Sequence, residues 1–286
     1  MKLGSKKLSE VFKKNLKALS KKSVATRNNS IKKKREVYIS AYLKSIKQME
    51  SRHFQSLEKS NNFFVKFKKI NKKNVDLFFR KYISNSIDYS KRKDRGYINS
   101  SIFEIKVYAI TPSVLGSVRF IDSYKGLKRY IKIKFNFYKK LETHKFKYFE
   151  ILPIDILGIK QVKNNKFAML ERVIPVESIG DIYEFQENNF NKSELISKYS
   201  PSFFRTLKKI GITDDFKSKE NIMKFNEFYK KLHRAYIEYY SYFMKNHIDY
   251  FDINQGNLLF VDYNPKIDKF LLAPIDFYGT HTRSTI

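Results

Sequence analysis

Apolar residues recur at helical spacing from the beginning of the chain. Leu8, Val11, Phe12, Leu16 and Leu19 mark one stripe, and Val37, Tyr38, Tyr42, Ile46 and Met49 mark another, the period of an amphipathic helix. The polar stretch from Ser20 to Ser30 is expected to separate them. Val75 to Ile83 predicts a further helix, and Ser90-Lys-Arg-Lys-Asp-Arg-Gly96 a boundary. The period then shortens. Ser101 to Ile110 (SIFEIKVYAI), Ser117 to Asp122 (SVRFID) and Arg129 to Phe135 (RYIKIKF) read as a three-strand meander, with a loop at Pro112 to Gly116 and a turn at Tyr124-Lys-Gly126. Asn136 to Lys147 reads as a short helix, and Ile151 to Val162 and Phe167 to Val173 as two more strands. Beyond Glu177 the pattern is helical again. Its clearest stretch is Ile222 to Asn246, where Phe225, Phe228, Leu232, Ala235, Tyr239 and Phe243 lie on one face.

Length and composition narrow the class. At 286 residues the chain can bury one substantial core, and 42% hydrophobic with 16% aromatic residues is enough apolar area to order most of it. The formal charge of +30 favours polyanionic partners such as anionic membrane, nucleic acid or nucleotide phosphates. Much of that excess is lysine in a sequence also rich in Ile, Asn, Tyr and Phe, a bias that an AT-rich genome produces without selection for binding. With no cysteine there is no disulfide, thiolate zinc site or cysteine nucleophile. The N-terminus lacks the apolar core of a signal peptide, and no stretch of about 18 apolar residues follows. A cytoplasmic protein is expected, soluble or attached peripherally at the inner face of the membrane through its basic N-terminal helices.

The chemistry concentrates near the C-terminus. After the long helix comes Asp252-Ile-Asn-Gln-Gly-Asn257-Leu-Leu-Phe260, then a polar turn at Asp262 to Lys266, then Phe270-Leu-Leu-Ala-Pro-Ile-Asp276-Phe-Tyr-Gly279. Phosphoryl transfer needs a carboxylate to orient the attacking hydroxyl and oxygen ligands to hold Mg²⁺ on the phosphates. An Asp with an Asn five positions on, and a second Asp after a hairpin, supply that set.

This segment resembles the catalytic core of the protein-kinase-like superfamily, and in particular bacterial lipopolysaccharide core heptose and Kdo kinases and YrbL-like proteins. The resemblance spans about residues 101 to 286 and is specific over the last forty. It implies an α+β, two-lobed protein-kinase-like fold, with a small antiparallel sheet lobe and a helical lobe. The expected division is a basic helical N-terminal extension over 1–95, the small lobe over 96–175 and the helical lobe with its catalytic loop over 176–286. It implies ATP and Mg²⁺ as cofactors, with Asp252 as catalytic carboxylate and Asn257 and Asp276 as metal ligands. The family's small-lobe lysine falls on Lys132, with Lys134 two residues on as the alternative. Its acidic partner would be Glu142, or Glu150 in its place. Met169-Leu-Glu171-Arg-Val173 would be the hinge, where main-chain groups of Glu171 and Val173 meet adenine, and Pro112 to Gly116 would cover the phosphates with a single glycine.

The departures shape the substrate class. Tyr250-Phe251-Asp252 stands where eukaryotic protein kinases read His-Arg-Asp, and Ile286 follows Asp276 by ten residues, leaving no expected room for a peptide-binding activation segment. A sugar or glycolipid hydroxyl, of lipopolysaccharide core or capsule, is therefore the expected acceptor. A pseudokinase that binds nucleotide without turnover, and a basic nucleic-acid-binding protein, are the alternatives. His53, His144, His233, His247 and His281 show no metal-ligand spacing, and Asp181 and Asp214-Asp215 read as helix-start or solvated positions.

Overall fold

Residues 4–63, 70–83, 107–163, 166–187, 199–213, 215–216, 218–245 and 253–275 are described in the computed structural model. Element α1 is one uninterrupted helix, Gly4–Ser60, running through the polar stretch at Ser20 to Ser30 where a break was expected. That stretch holds neither Gly nor Pro, so its polarity alone does not end a helix. The chain divides into two compact units after Lys44. The first, Met1–Lys44, contains the N-terminal part of α1, from Gly4 on.

The second unit, Ser45–Ile286, is a mixed α+β structure. It comprises the end of α1, then α2 (Lys72–Tyr82), β1 (Val107–Thr111), β2 (Val114–Ile121), α3 (Tyr124–Leu141), β3 (Phe149–Ile151), β4 (Ile156–Lys163) and β5 (Lys166–Val173). It continues with α4 (Ile179–Glu187), α5 (Pro201–Lys209), α6 (Lys219–Lys245), β6 (Leu258–Asn264) and β7 (Lys269–Pro274). An antiparallel sheet has strand order β1-β2-β5-β4, and a second, three-stranded sheet has the order β3-β7-β6, with β3 parallel to β7.

The expected third strand is a helix. Arg129 to Phe135 lies inside α3, whose buried positions Leu127, Tyr130, Ile131, Lys134, Phe137, Tyr138 and Leu141 repeat every three or four residues. Ser123 caps it by accepting from the Gly126 N–H at 3.0 Å, so Tyr124-Lys-Gly126 is its first turn and not a separate one; such a cap is worth ~1 kcal/mol. Of the expected helix at Asn136 to Lys147, Asn136 to Leu141 is the end of α3 and the remainder is turn and irregular chain, and the Ile151 to Val162 strand is split into β3 and β4 by the buried run Leu152-Pro-Ile154.

Two apolar clusters fix the sheets. Val75, Phe78 and Phe79 of α2 pack on Tyr108, Val114, Leu157, Val162, Ala168 and Leu170. Gly158 makes this contact possible, because a Cβ there would fall 2.5 Å from Val75 Cγ1. The second cluster joins Phe54 and Leu57 of α1 to Leu152, Ile154, Leu259, Leu271, Ala273 and Ile275. Helix α6 lays its expected face, Phe225 through Phe243, against both sheet and helix: Phe228 meets Phe260 and Phe270 with ring centroids 5.8 and 5.7 Å apart, and Phe243 stacks on Phe137 at 5.2 Å. The packing therefore groups residues 45–82 with the sheets, whereas the sequence pattern had placed them in an extension ending at residue 95.

Candidate functional site

The short 3₁₀ turn Gln255–Asn257 leads directly into β6. Asn254 starts it: its side-chain oxygen accepts the Asn257 N–H at 3.0 Å, the side-chain-to-backbone closure that Asn makes readily. The β6–β7 hairpin then returns the chain to its starting point. Leu258 pairs with Pro274, and the Ile275 N–H donates to the Asn257 carbonyl at 2.9 Å. Asn257 and the residue preceding Asp276 are thus adjacent. Asp252 and Asp276 themselves lie outside the described residues, as do Tyr250, Phe251, His247 and His281.

The start of α4 abuts the same turn. Ser178 bridges to Leu259, and Gly180 lies so close that a Cβ on it would come within 3.6 Å of Gly256 N. Asp181 holds this helix start, accepting from the Ser178 N–H at 2.8 Å and hydroxyl at 2.7 Å, the helix-start role read from sequence. Glu177 is buried and accepts from both the N–H and the hydroxyl of Ser200, the cap of α5. Burial raises its carboxyl above the ordinary value.

The small-lobe candidates fall differently. Lys132 is on α3, not on a strand, and its side chain is exposed. Lys134 is on the opposite, buried face with no solvent exposure at all. It donates to the Ile154 carbonyl and lies 3.5 Å from Glu50 and 3.8 Å from Glu171. Glu142 is at the end of α3, on the surface, paired with Arg52 at 2.6 Å, and Glu150 pairs with Lys269 at 2.8 Å. Each is thus paired away from α3's lysines, and Lys134 lies instead beside Glu50 and Glu171. Glu50 escaped the sequence reading. Its signal is its place on the face formed by Ile46, Met49, Phe54 and Leu57, where a carboxylate at helical spacing interrupts an apolar stripe.

Glu171 and Val173 are in β5, between β2 and β4. The Arg172 N–H donates to Asp155 on the β4 side, so by antiparallel alternation Glu171 and Val173 direct their N–H groups toward β2, where they align with Ser117 and Leu115. The ladder occupies the edge that an adenine would need. The Glu171 side chain instead accepts from the Tyr130 hydroxyl and lies 3.5 Å from Arg119. Pro112 to Gly116 is likewise no loop: Pro112-Ser113 is a tight β1–β2 turn, and Gly116 is within β2, where a Cβ would come 3.0 Å from Leu170 and 3.2 Å from the Glu171 carbonyl.

His53 lies 2.7 Å from the Ile151 carbonyl, and burial lowers its pKa. Among the described residues no group of three His, Asp or Glu side chains is placed to hold a metal, and no helix is long and apolar enough to cross a membrane. No protein-family model matches the chain, and neither does any curated protein.

Proposed function

We propose that this chain is an ATP-dependent phosphotransferase whose acceptor is a hydroxyl of a sugar or lipid-linked glycan, of lipopolysaccharide core or capsule type. One observation carries the reading. The Ile275 N–H donates to the Asn257 carbonyl at 2.9 Å, so the last residue of the Asp-x-x-x-x-Asn element adjoins the first residue of the Ile-Asp-Phe element, which supports the resemblance. The order of long helix α6, turn, hairpin and Asp agrees with that resemblance, whereas the lysine-bearing third strand it implies is part of α3.

The donor chemistry fits Mg²⁺, which takes hard oxygen ligands: the Asn257 amide and the Asp276 carboxylate would hold it. When bound, Mg²⁺-ATP supplies an activated γ-phosphoryl group. Asp252 orients the acceptor hydroxyl and accepts its proton, a role typically worth about 10²–10⁴-fold. The strand ladder on Glu171 and Val173 moves base recognition to the connection after β5, Ile174 to Glu177. The basic segment 1–44, with fourteen Lys and Arg against two Glu, holds the enzyme on an anionic cytoplasmic leaflet.

Thermal unfolding with and without Mg²⁺-ATP tests this reading. Ligand at 100 times its dissociation constant should stabilise the protein by about 2.7 kcal/mol. Transfer of labelled γ-phosphate to a glycan or lipid extract should follow, and nucleotide binding without turnover would mark a pseudokinase. No stabilisation under any metal condition would overturn the reading.

A further inference from the structure

Glu50, Lys134 and Glu171 come from α1, α3 and β5 into one buried cluster. Lys134 is fully excluded from solvent and Glu50 is 3% exposed. Neither Glu50 oxygen has a hydrogen-bond partner, and Lys134 stands 3.5 Å away while donating to the Ile154 carbonyl.

The surrounding charges are largely committed to one another. On α1, Lys47 reaches the Leu157 carbonyl at 3.5 Å, and His53, a turn further on, meets the Ile151 carbonyl. On α3, Tyr138 is buried beside Lys134, its hydroxyl 3.5 Å from the Ile154 carbonyl. Before β4, Asp155 is held by Arg172 at 2.5 Å. From β2, Arg119 approaches Glu171 at 3.5 Å, and Glu171 also accepts from Tyr130. One ammonium group therefore stands between two carboxylates, of which only Glu171 is hydrogen-bonded. An ionised carboxylate without hydrogen bonds in such a place is far costlier than a neutral acid.

We propose that Glu50 sits in this cluster as the neutral acid and that Glu50, Lys134 and Glu171 form a proton-operated clasp, which holds the Ser45–Ser60 part of α1 on α3 and β5 and loosens when the proton leaves. Burial, outweighing the opposing pull of Lys134, raises the Glu50 carboxyl from 4.5 to about 8. Between those values the folded chain binds a proton that the unfolded chain does not. Stability therefore falls as pH rises across that window and levels off above it.

The experiment is unfolding of the full chain from about pH 5 to about pH 9, wild type beside Glu50→Gln, with hydrogen exchange followed in residues 45–60. Each pH unit within the window should shift the wild-type folding equilibrium by up to about tenfold relative to the variant. The Gln side chain has the same shape and no proton to lose, so its profile should lack this slope, and only wild type should show faster exchange in α1 once intrinsic rates are corrected. Glu177 contributes the same background to both proteins. Parallel profiles would overturn the proposal. Should Glu50→Gln fail to fold, a carboxyl-carbon NMR titration of the glutamate-labelled chain carrying Glu177→Gln decides: a glutamate titrating near 8 supports the clasp, and all titrating in the ordinary carboxylate range overturns it.

Discussion

Asn257 and Ile275 are joined main chain to main chain, the Ile275 N–H donating to the Asn257 carbonyl at 2.9 Å. Eighteen positions apart in sequence, they are neighbours because the β6–β7 hairpin closes between them. The end of the hairpin is therefore held against the turn that opens it. In the phosphotransferase reading the roles of Asp252 and Asp276 are separable.

Asp276→Asn should remove the Mg²⁺ enhancement of ATP binding, since the metal loses a charged ligand. Asp252→Asn should leave Mg²⁺-ATP affinity near wild type and cut turnover by about 10²-fold or more. Calorimetry with and without Mg²⁺, beside phosphate transfer to glycan extract, separates the two. Equal metal dependence in both variants would remove the assignment.

The two lysines of α3 should also behave differently. Lys134→Met strips the ammonium from beside the buried Glu171 carboxylate, and breaking a buried ion pair in this way typically costs about 3–5 kcal/mol. Lys132 is exposed, so Lys132→Met should change stability by no more than about 0.5 kcal/mol. Urea unfolding reads both. A large loss at Lys132 and none at Lys134 would contradict the packing described here.

Gly158→Ala should destabilise by about 1–3 kcal/mol, because the new methyl group would press on Val75 Cγ1 at 2.5 Å and Phe79 Cε2 at 3.0 Å. Pairing the change with Val75→Ala should recover part of the loss. Strict additivity of the two in a double-mutant cycle would show that the contact is not the cause.

Removal of residues 1–44 should leave Ser45–Ile286 able to unfold cooperatively while weakening its binding to anionic vesicles. Removal of residues 1–60 should abolish cooperative unfolding, because it takes Ile46, Met49, Phe54 and Leu57 out of the core. Circular dichroism melts and vesicle sedimentation measure the two effects. A cooperatively folded 61–286 fragment would show that this part of α1 is dispensable.

The long-period features were legible in the sequence. Helix α6 and its buried face follow from Phe225 through Phe243, and the strands β2 and β5 from short apolar runs. Arg129 to Phe135 misled because the alternation of apolar and charged residues from Ile131 to Phe135 satisfies a strand template, while the helix appears only when Leu127, Phe137 and Leu141 are included. Glu50 was hidden for a related reason: its partners lie 84 and 121 positions away in Lys134 and Glu171, and no local pattern encodes such a meeting. At the hairpin the spacing of Asn257 and Asp276 gave the candidate residues, but the meeting of Asn257 with Ile275 depends on the β6–β7 register.

The parallel pairing of β3 with β7 sets a temporal order on assembly. Phe149 aligns with Phe270 and Ile151 with Leu272, so a strand of three residues must wait for a partner more than a hundred residues downstream. During synthesis β3 can find its neighbour only after residues 269–274 have emerged, and closing so long a loop is slow. Until then Phe149, Ile151 and the apolar face of α6 lack their final cover, and chaperone binding should concentrate on nascent chains of that length.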